Sequence, residues 1–306
     1  MWNPAGLTEV ESDWQGAAMH AEYFESIAKY DYISFAKALD SKDGVLGISI
    51  VRLGVDNILN TTQMIDSEGN IDYDKISKFS TSDYAGIISY AFRPGGNQKL
   101  SVGINAKIVY RNIGKFANGF GFGFDAGAIY RADSGYQFGA MLRDATTTVN
   151  FWSINQKELS TVVNGEEFNP APKDKMEITM PKLNLGVSKN FEINRDLELL
   201  PEAGLNVDFA KTAAVISTDF ASISPYLGAE LSFQKMIFVR AGLNRFQTVT
   251  DIEDLKRKVS MQPSAGIGIK YKGLTLDYAI TNTGIGGSNY FSNFFSLKLD
   301  MRDFRY

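Results

Sequence analysis

Apolar and polar residues alternate along most of this chain with a period of two. Between residues 100 and 111, Leu100, Val102, Ile104, Ala106, Ile108 and Tyr110 share one face of an extended chain. Ser101, Gly103, Asn105, Lys107, Val109 and Arg111 share the other. Such alternation marks a strand with one apolar and one polar face. It recurs at 120–131, where Phe120, Phe122, Phe124, Ala126, Ala128 and Tyr130 oppose Gly121, Gly123, Asp125, Gly127 and Arg131. It is equally clear in 197–209, 260–272 and 293–304. Segments of this kind predict about fourteen strands of about 10 to 14 residues, the length a tilted strand needs to cross a bilayer. Their expected spans are 18–26, 30–39, 45–55, 83–93, 100–113, 120–133, 136–148, 176–190, 197–210, 222–234, 236–246, 260–272, 274–282 and 293–304.

The connections sharpen this expectation. Those at 40–44, 93–99, 133–135, 190–196, 234–235 and 272–273 are tight and rich in turn residues. Between them fall longer ones at 56–82, 114–119, 149–175, 211–221, 247–259 and 283–292. Alternating short and long connections are the rule of up-and-down outer-membrane barrels, with short periplasmic turns and long extracellular loops. A soluble sandwich also alternates, but its strands are shorter and its loops need not alternate in length. The polar faces carry both signs of charge, including Lys107, Arg111, Asp125, Arg131, Glu198, Glu202, Asp208, Lys298, Asp300 and Arg302. A hydrated barrel lumen can hold such groups, whereas a dry sandwich core cannot do so cheaply. The reading is therefore all-β: a transmembrane antiparallel barrel whose apolar faces meet lipid. On that assignment Ile104→Lys or Leu299→Lys should be costly and Lys107→Gln mild.

Composition supports the same picture. The chain has 306 residues, with 44% hydrophobic and 22% charged, and a net charge of −4, which gives no support to nucleic-acid binding. There is no cysteine, so neither a disulfide nor a thiolate site is possible. No run of 18 or more apolar residues suggests a membrane helix. Tyr30, Tyr32, Tyr84, Tyr90, Phe92, Tyr110, Phe116, Tyr290, Phe291, Phe294 and Phe295 lie near expected strand ends and read as interfacial girdles. Phe304 or Tyr306 would be the terminal aromatic of the last strand. The opening residues lack the basic and apolar regions of a signal peptide, and the expectation is an exported chain whose leader has been removed.

Candidate chemistry is sparse. His20, the single histidine, is expected on the first strand near the N-terminal segment, as a structural residue rather than a catalytic base. Asp66, Glu68, Asn70 and Asp72 alternate as oxygen ligands would, but without the spacing of a calcium-binding loop, and read as a solvated acidic loop. Gly121 and Gly123 precede no helix and form no phosphate loop. Facing inward, they would admit a plug, a loop or a ligand, or let the strand kink. No enzymatic activity, cofactor or metal is expected.

The most distinctive motif is Trp2-Asn3-Pro4-Ala5-Gly6-Leu7. Pro4 restricts Asn3 to extended geometry, and Trp2 and Leu7 flank the turn as apolar anchors. A segment of this kind before some fourteen strands resembles the PorV/PorQ family, whose members share the fold of the FadL long-chain fatty-acid transporters. The resemblance implies an outer-membrane protein of Bacteroidetes-type bacteria serving type IX secretion, with a large translocon barrel and secreted cargo as partners besides outer-membrane lipids. Residues 1–17 would then form a plug and 18–306 the barrel. Ile65, Tyr73, Phe151, Trp152, Phe168, Pro170 and Pro172, in the two longest connections, would be the residues to contact cargo or partner. The alternative is a FadL-like transporter carrying hydrophobic small molecules through an apolar pocket.

Overall fold

Wherever the expected strands pair, their apolar faces end up outside. The computed structural model describes every residue except 1–2, 11, 40–43, 164, 171, 173, 251–255, 285–289 and 302–306. It forms a closed barrel of 14 antiparallel strands. These are β1 (Trp14–Tyr23), β2 (Ala28–Ala38), β3 (Val45–Asn60), β4 (Ser77–Phe92), β5 (Leu100–Ile113) and β6 (Ala117–Arg131). Next come β7, in two pieces (Tyr136–Arg143 and Thr148–Ile154), and β8, also in two (Met176–Thr179 and Lys182–Lys189). The circuit continues with β9 (Leu197–Asp208), β10 (Ser222–Phe233), β11 (Ile237–Thr250), β12 (Arg257–Tyr271), β13 (Leu274–Asn282) and β14 (Phe291–Asp300). Each strand pairs with its sequence neighbours. β1 closes the circuit by pairing with β2 on one side (Ala18↔Ile33) and with β14 on the other (Ala18↔Leu297).

The burial pattern is inverted relative to a soluble protein. On β5, Ile104 is 59% exposed while Asn105 is 3% exposed, and Phe122 on β6 is 50% exposed beside Asp125 at 6%. An apolar band of this extent, continued by Ile33, Ile50, Leu276 and Phe295, far exceeds the patches soluble monomers expose. It is the exterior of a bilayer-spanning barrel. Among the described residues no helix is long and apolar enough to cross a membrane.

Several expected boundaries move. β1 starts at Trp14 rather than 18 and ends at Tyr23, because Phe24, Glu25 and Ser26 take left-handed backbone. Residues 14–17 are therefore wall rather than plug. The expected long connection at 114–119 is a tight turn, and β6 begins at Ala117. The strand expected at 136–148 breaks: Asp144 (φ 52°) and Thr147 (φ 58°) are left-handed, and 144–147 bulge out between the two pieces. Asp is a residue that tolerates this geometry. Both pieces still pair with β6, at Ala126↔Leu142 and Phe122↔Val149. The wall thus continues through Ile154, and Phe151 and Trp152 belong to it rather than to a loop. The remaining connection, 155–175, holds a helical turn at Gln156–Leu159 and a hairpin of Thr161–Val163 with Glu166–Phe168.

Candidate functional site

The lumen between β3 and β8 has three levels, and β5 runs through all of them. At the short-loop end lies the N-terminal segment. Pro4–Glu9 forms a 3-10 helix because Pro4 presets its first position and extended Asn3 caps it, Asn3 Oδ1 accepting from the Ala5 N–H at 3.0 Å. The Asn3 amide nitrogen donates to the carbonyl oxygens of Ala128 (3.2 Å) and Ala140 (3.0 Å), on β6 and β7. Inward-facing glycines form the seat. A Cβ on Gly127 would lie 2.1 Å from Asn3 Oδ1, and one on Gly103 would lie 2.5 Å from the Pro4–Ala5 peptide. A Cβ on Gly47 would press Leu7 at 3.2 Å, and one on Gly6 would touch the Ile129 side chain at 4.0 Å. Thr8 Oγ1 lies 2.8 Å from Ser101 Oγ. Arg93 donates to the Thr8 carbonyl at 2.9 Å, and the Glu9 carboxylate is held by Arg93 and Arg131. Trp2 lies outside the described residues.

The middle level is polar. Lys107 Nζ is 2.7 Å from Asp125 Oδ1 and 2.5 Å from Asp144 Oδ1. Asn105 donates to Asp125 at 3.1 Å, and Thr148 donates to Asp144. The backbone N–H of Asp144 donates to Asp125 at 2.9 Å, so the β7 bulge is tied to β6 through this cluster. Two turns of the alternation higher, Arg111 reaches Asp83 at 3.1 Å and both oxygens of Glu177 at 3.0 Å. Trp152 Nε1 donates to Glu177 at 2.9 Å, and the Arg111 guanidinium stacks 5.0 Å from the Trp152 ring. The inward glycines of β6 make this possible. A Cβ on Gly123 would lie 2.0 Å from Thr148 Oγ1, one on Gly121 2.1 Å from Asn150 Oδ1, and one on Gly119 3.1 Å from the Trp152 ring. What the glycines admit is neighbouring wall side chains and, lower down, the plug.

At the long-loop end the lining turns apolar. A cavity of about 550 Å³ is bounded chiefly by Phe79, Ile113, Phe116, Trp152, Ile154 and Met176, with Pro172, Asp174 and Glu177 at its edge. Phe79 and Phe116 meet edge-on at 5.0 Å, and Phe116 is buried. The turn that delivers Phe116 needs Gly114: its φ is 50°, and a Cβ there would lie 2.9 Å from the Phe79 ring. Phe116 therefore faces the lumen instead of the headgroups. Tyr30 and Phe294, on the inner faces of β2 and β14, likewise depart from the expected girdle.

The other expected residues are scattered. Glu198, Glu202, Asp208, Lys298 and Asp300 all take inward register positions. Glu198 pairs with Lys235 (3.0 Å), Glu202 accepts from Tyr226 (3.0 Å) and Asp208 pairs with Lys182 (2.9 Å). Arg302, Phe304 and Tyr306 lie outside the described residues. Ile65 bridges to Ile71, and Tyr73 opens a 3-10 turn at Tyr73–Lys75. Asp66 accepts from the N–H groups of Asn70 and Glu68, and these bonds hold its carboxyl below the usual range. Phe168 is exposed in the small hairpin, Pro170 is exposed beyond it, and Phe151 faces lipid.

His20 is not near the plug, which packs against β3–β6. It sits on the outer face, its Nδ1 2.7 Å from Asp31 Oδ1, and Arg52 reaches the other oxygen at 3.2 Å. Sequence alternation alone does not show this outward ion cluster, because only the register Asp31↔Arg52 and His20↔Asp31 assembles it. Arg52 folds back over Gly54, where a Cβ would meet its guanidinium at 2.8 Å. Among the described residues no group of three or more His, Cys, Asp or Glu is arranged to hold a metal.

No protein-family model matches the chain, and no curated protein does. Solved structures do. The toluene transporter TbuX of Ralstonia pickettii superimposes with a TM-score of 0.57 at 12% identity, covering 97% of this chain and 92% of that one. The toluene transporter TodX of Pseudomonas putida gives 0.54 at 12%, with 97% and 90% covered, and a FadL homologue of Pseudomonas aeruginosa gives 0.52 at 11%, with 97% and 92%. The fold is FadL-like. At these identities the likeness extends to the path of the chain and not to what it carries. Within the FadL-like barrel the features peculiar to this sequence are the glycine seat, the doubly bridged cations and the cavity above them.

Proposed function

We propose that this FadL-like barrel takes up hydrophobic small molecules at its long-loop end, in the outer membrane. The carrying observation is the apolar cavity of about 550 Å³ inside the wall at the ends of β4, β5, β7 and β8. That size and lining suit a small apolar ligand. Below it lie the ion pairs of Arg111 and Lys107, and below those the plug. An apolar solute therefore loses its favourable surroundings on descending, and sideways release toward lipid at the level of the cavity is the cheaper path.

The secretion reading carries less. The segment that suggests it, Asn3 to Leu7, is occupied in plugging the lumen, a task a plugged barrel needs whatever its cargo. It also leaves the cavity unexplained. The test is direct binding of ethylbenzene or a similar hydrocarbon to protein in lipid nanodiscs, read by Trp152 fluorescence. Phe116→Ala should weaken binding by about tenfold, the loss of one aromatic wall being worth on the order of 1–2 kcal/mol. Saturable binding that ignores Phe116, or no binding at all, rules the proposal out.

A further inference from the structure

Three of the cations facing the lumen are each shared by two acids. Lys107 lies between Asp125 and Asp144, and Arg111 between Asp83 and Glu177. On the opposite wall Arg240 repeats the pattern, 2.5 Å from Glu230 and 2.6 Å from Asp277. Each cluster therefore holds one positive and two negative charges, leaving one negative charge over. At the cavity itself the charged side chains among the described lining residues are Asp174 and Glu177, both acidic. Lys115, on the turn beside Phe116, is paired with Glu158. Two buried amide oxygens on the same inner faces, Asn105 Oδ1 and Asn150 Oδ1, accept no hydrogen bond. Among the described lining residues acceptors and negative charge are in surplus, and the aromatic faces of Phe79, Phe116 and Trp152 add the ring geometry that attracts cations.

From this charge balance we infer that the cavity ranks amphiphiles by the sign of their polar end: cationic first, uncharged next, carboxylate last. Among the described lining residues a carboxylate would meet Asp174 and Glu177 and no guanidinium or ammonium; Arg111 is already shared by two acids, and Lys175, beside Asp174, is exposed and does not line the cavity. An ammonium would meet both acids and three aromatic rings. The inference rests on the proposed uptake of hydrophobic molecules and narrows it.

The test compares three ten-carbon probes, decyltrimethylammonium, decanol and decanoate, for binding to the full chain in nanodiscs of zwitterionic lipid. Calorimetry and Trp152 fluorescence provide the readouts, and empty nanodiscs correct for partitioning. The expected order of affinity is ammonium, alcohol, carboxylate, with about tenfold or more between the ends, the size of a charge interaction in a partly polar site. Asp174→Asn, at an exposed position, and Glu177→Gln should each compress that ratio. Equal or tighter binding of decanoate, or a ratio indifferent to both substitutions, overturns the inference while leaving the uptake proposal standing. Failure of all three probes overturns both.

Discussion

The two ends of β5 and β6 do opposite things with the same alternation. At the short-loop end their inner positions are Ser101, Gly103 and Gly127, small enough for the plug backbone to lie against the wall. At the long-loop end the inner positions become Ile113 and, across the turn, Phe116, with Trp152 filling the space over Gly119. The outer face hardly changes, running from Val102 through Ile104 to Ile108 and Tyr110. Lipid asks only for apolar bulk, so the outer face records the membrane. The inner face changes residue by residue because it meets a different neighbour at every step, and it records the function.

The largest effect should come where the two ends meet. Lys107 lies between two buried carboxylates, all three side chains being less than 15% exposed (14%, 7% and 13%). Lys107→Gln leaves Asp125 and Asp144 facing each other, a change worth about 3–5 kcal/mol. That matches or exceeds the roughly 2–4 kcal/mol expected for Ile104→Lys on the lipid face. The geometry thus predicts a larger cost for Lys107→Gln than the mild one expected from alternation alone. Urea unfolding from lipid vesicles of the two variants decides the ranking. Asp144→Asn alongside Lys107→Gln should recover part of the loss, since one repelling charge is gone.

Next comes the seat. Gly127→Leu puts a side chain where Asn3 lies, 2.1 Å from the first added carbon, so the plug must leave while the outer face is untouched. The barrel should still fold, and its single-channel conductance in a planar bilayer should rise several-fold over the plugged protein. An unchanged conductance would mean that the seat is not the barrier. Asn3→Ala is gentler. It removes a helix cap and two bonds to the wall, for about 1–2 kcal/mol, and should raise the frequency of brief openings without abolishing the closed state.

What was legible in the sequence follows the same division. The outer face could be read almost completely, because period two and apolarity suffice to place Ile104, Phe122 or Ile267. The turn of the N-terminal segment could be read from Asn3-Pro4, where local stereochemistry dictates it. The cavity could not. Phe116 sits beside a turn that looks like a girdle position, and only the left-handed Gly114 sends it inward. Trp152 fell within an apparent loop because the bulge at 144–147 resets the phase of alternation. A signal was present: Thr148, Asn150, Trp152 and Ile154 resume the two-residue rhythm after the slip, opposite Val149 and Phe151. The charge clusters were legible as inward charges but not as triads, since partners such as Arg111 and Glu177 are 66 residues apart.

The smallest effect concerns the loop that follows β3 at the cavity mouth. Asp66 accepts from the Asn70 N–H at 2.8 Å, from the Asn70 side chain at 3.1 Å and from the Glu68 N–H at 2.9 Å. These bonds favour the carboxylate, so its folded pKa lies below the ordinary value of about 4. A depressed pKa contributes order to the loop above the unfolded value, and that contribution fades as pH falls through the folded one. Since Asp66 lies in a surface loop and bonds only within it, the barrel should keep its stability on mild acidification while 66–70 alone loosens. Amide exchange at Asn70, corrected for intrinsic rates, should quicken in Asp66→Ala at neutral pH and in the native chain only in stronger acid. Hydrocarbon binding should change little in either case, because the cavity walls at Phe79, Phe116 and Trp152 stand on strands and on the 114–116 turn. A marked loss of binding in Asp66→Ala would instead make this loop part of the mouth that captures the ligand, and the two-ended division of the lumen would need a third region.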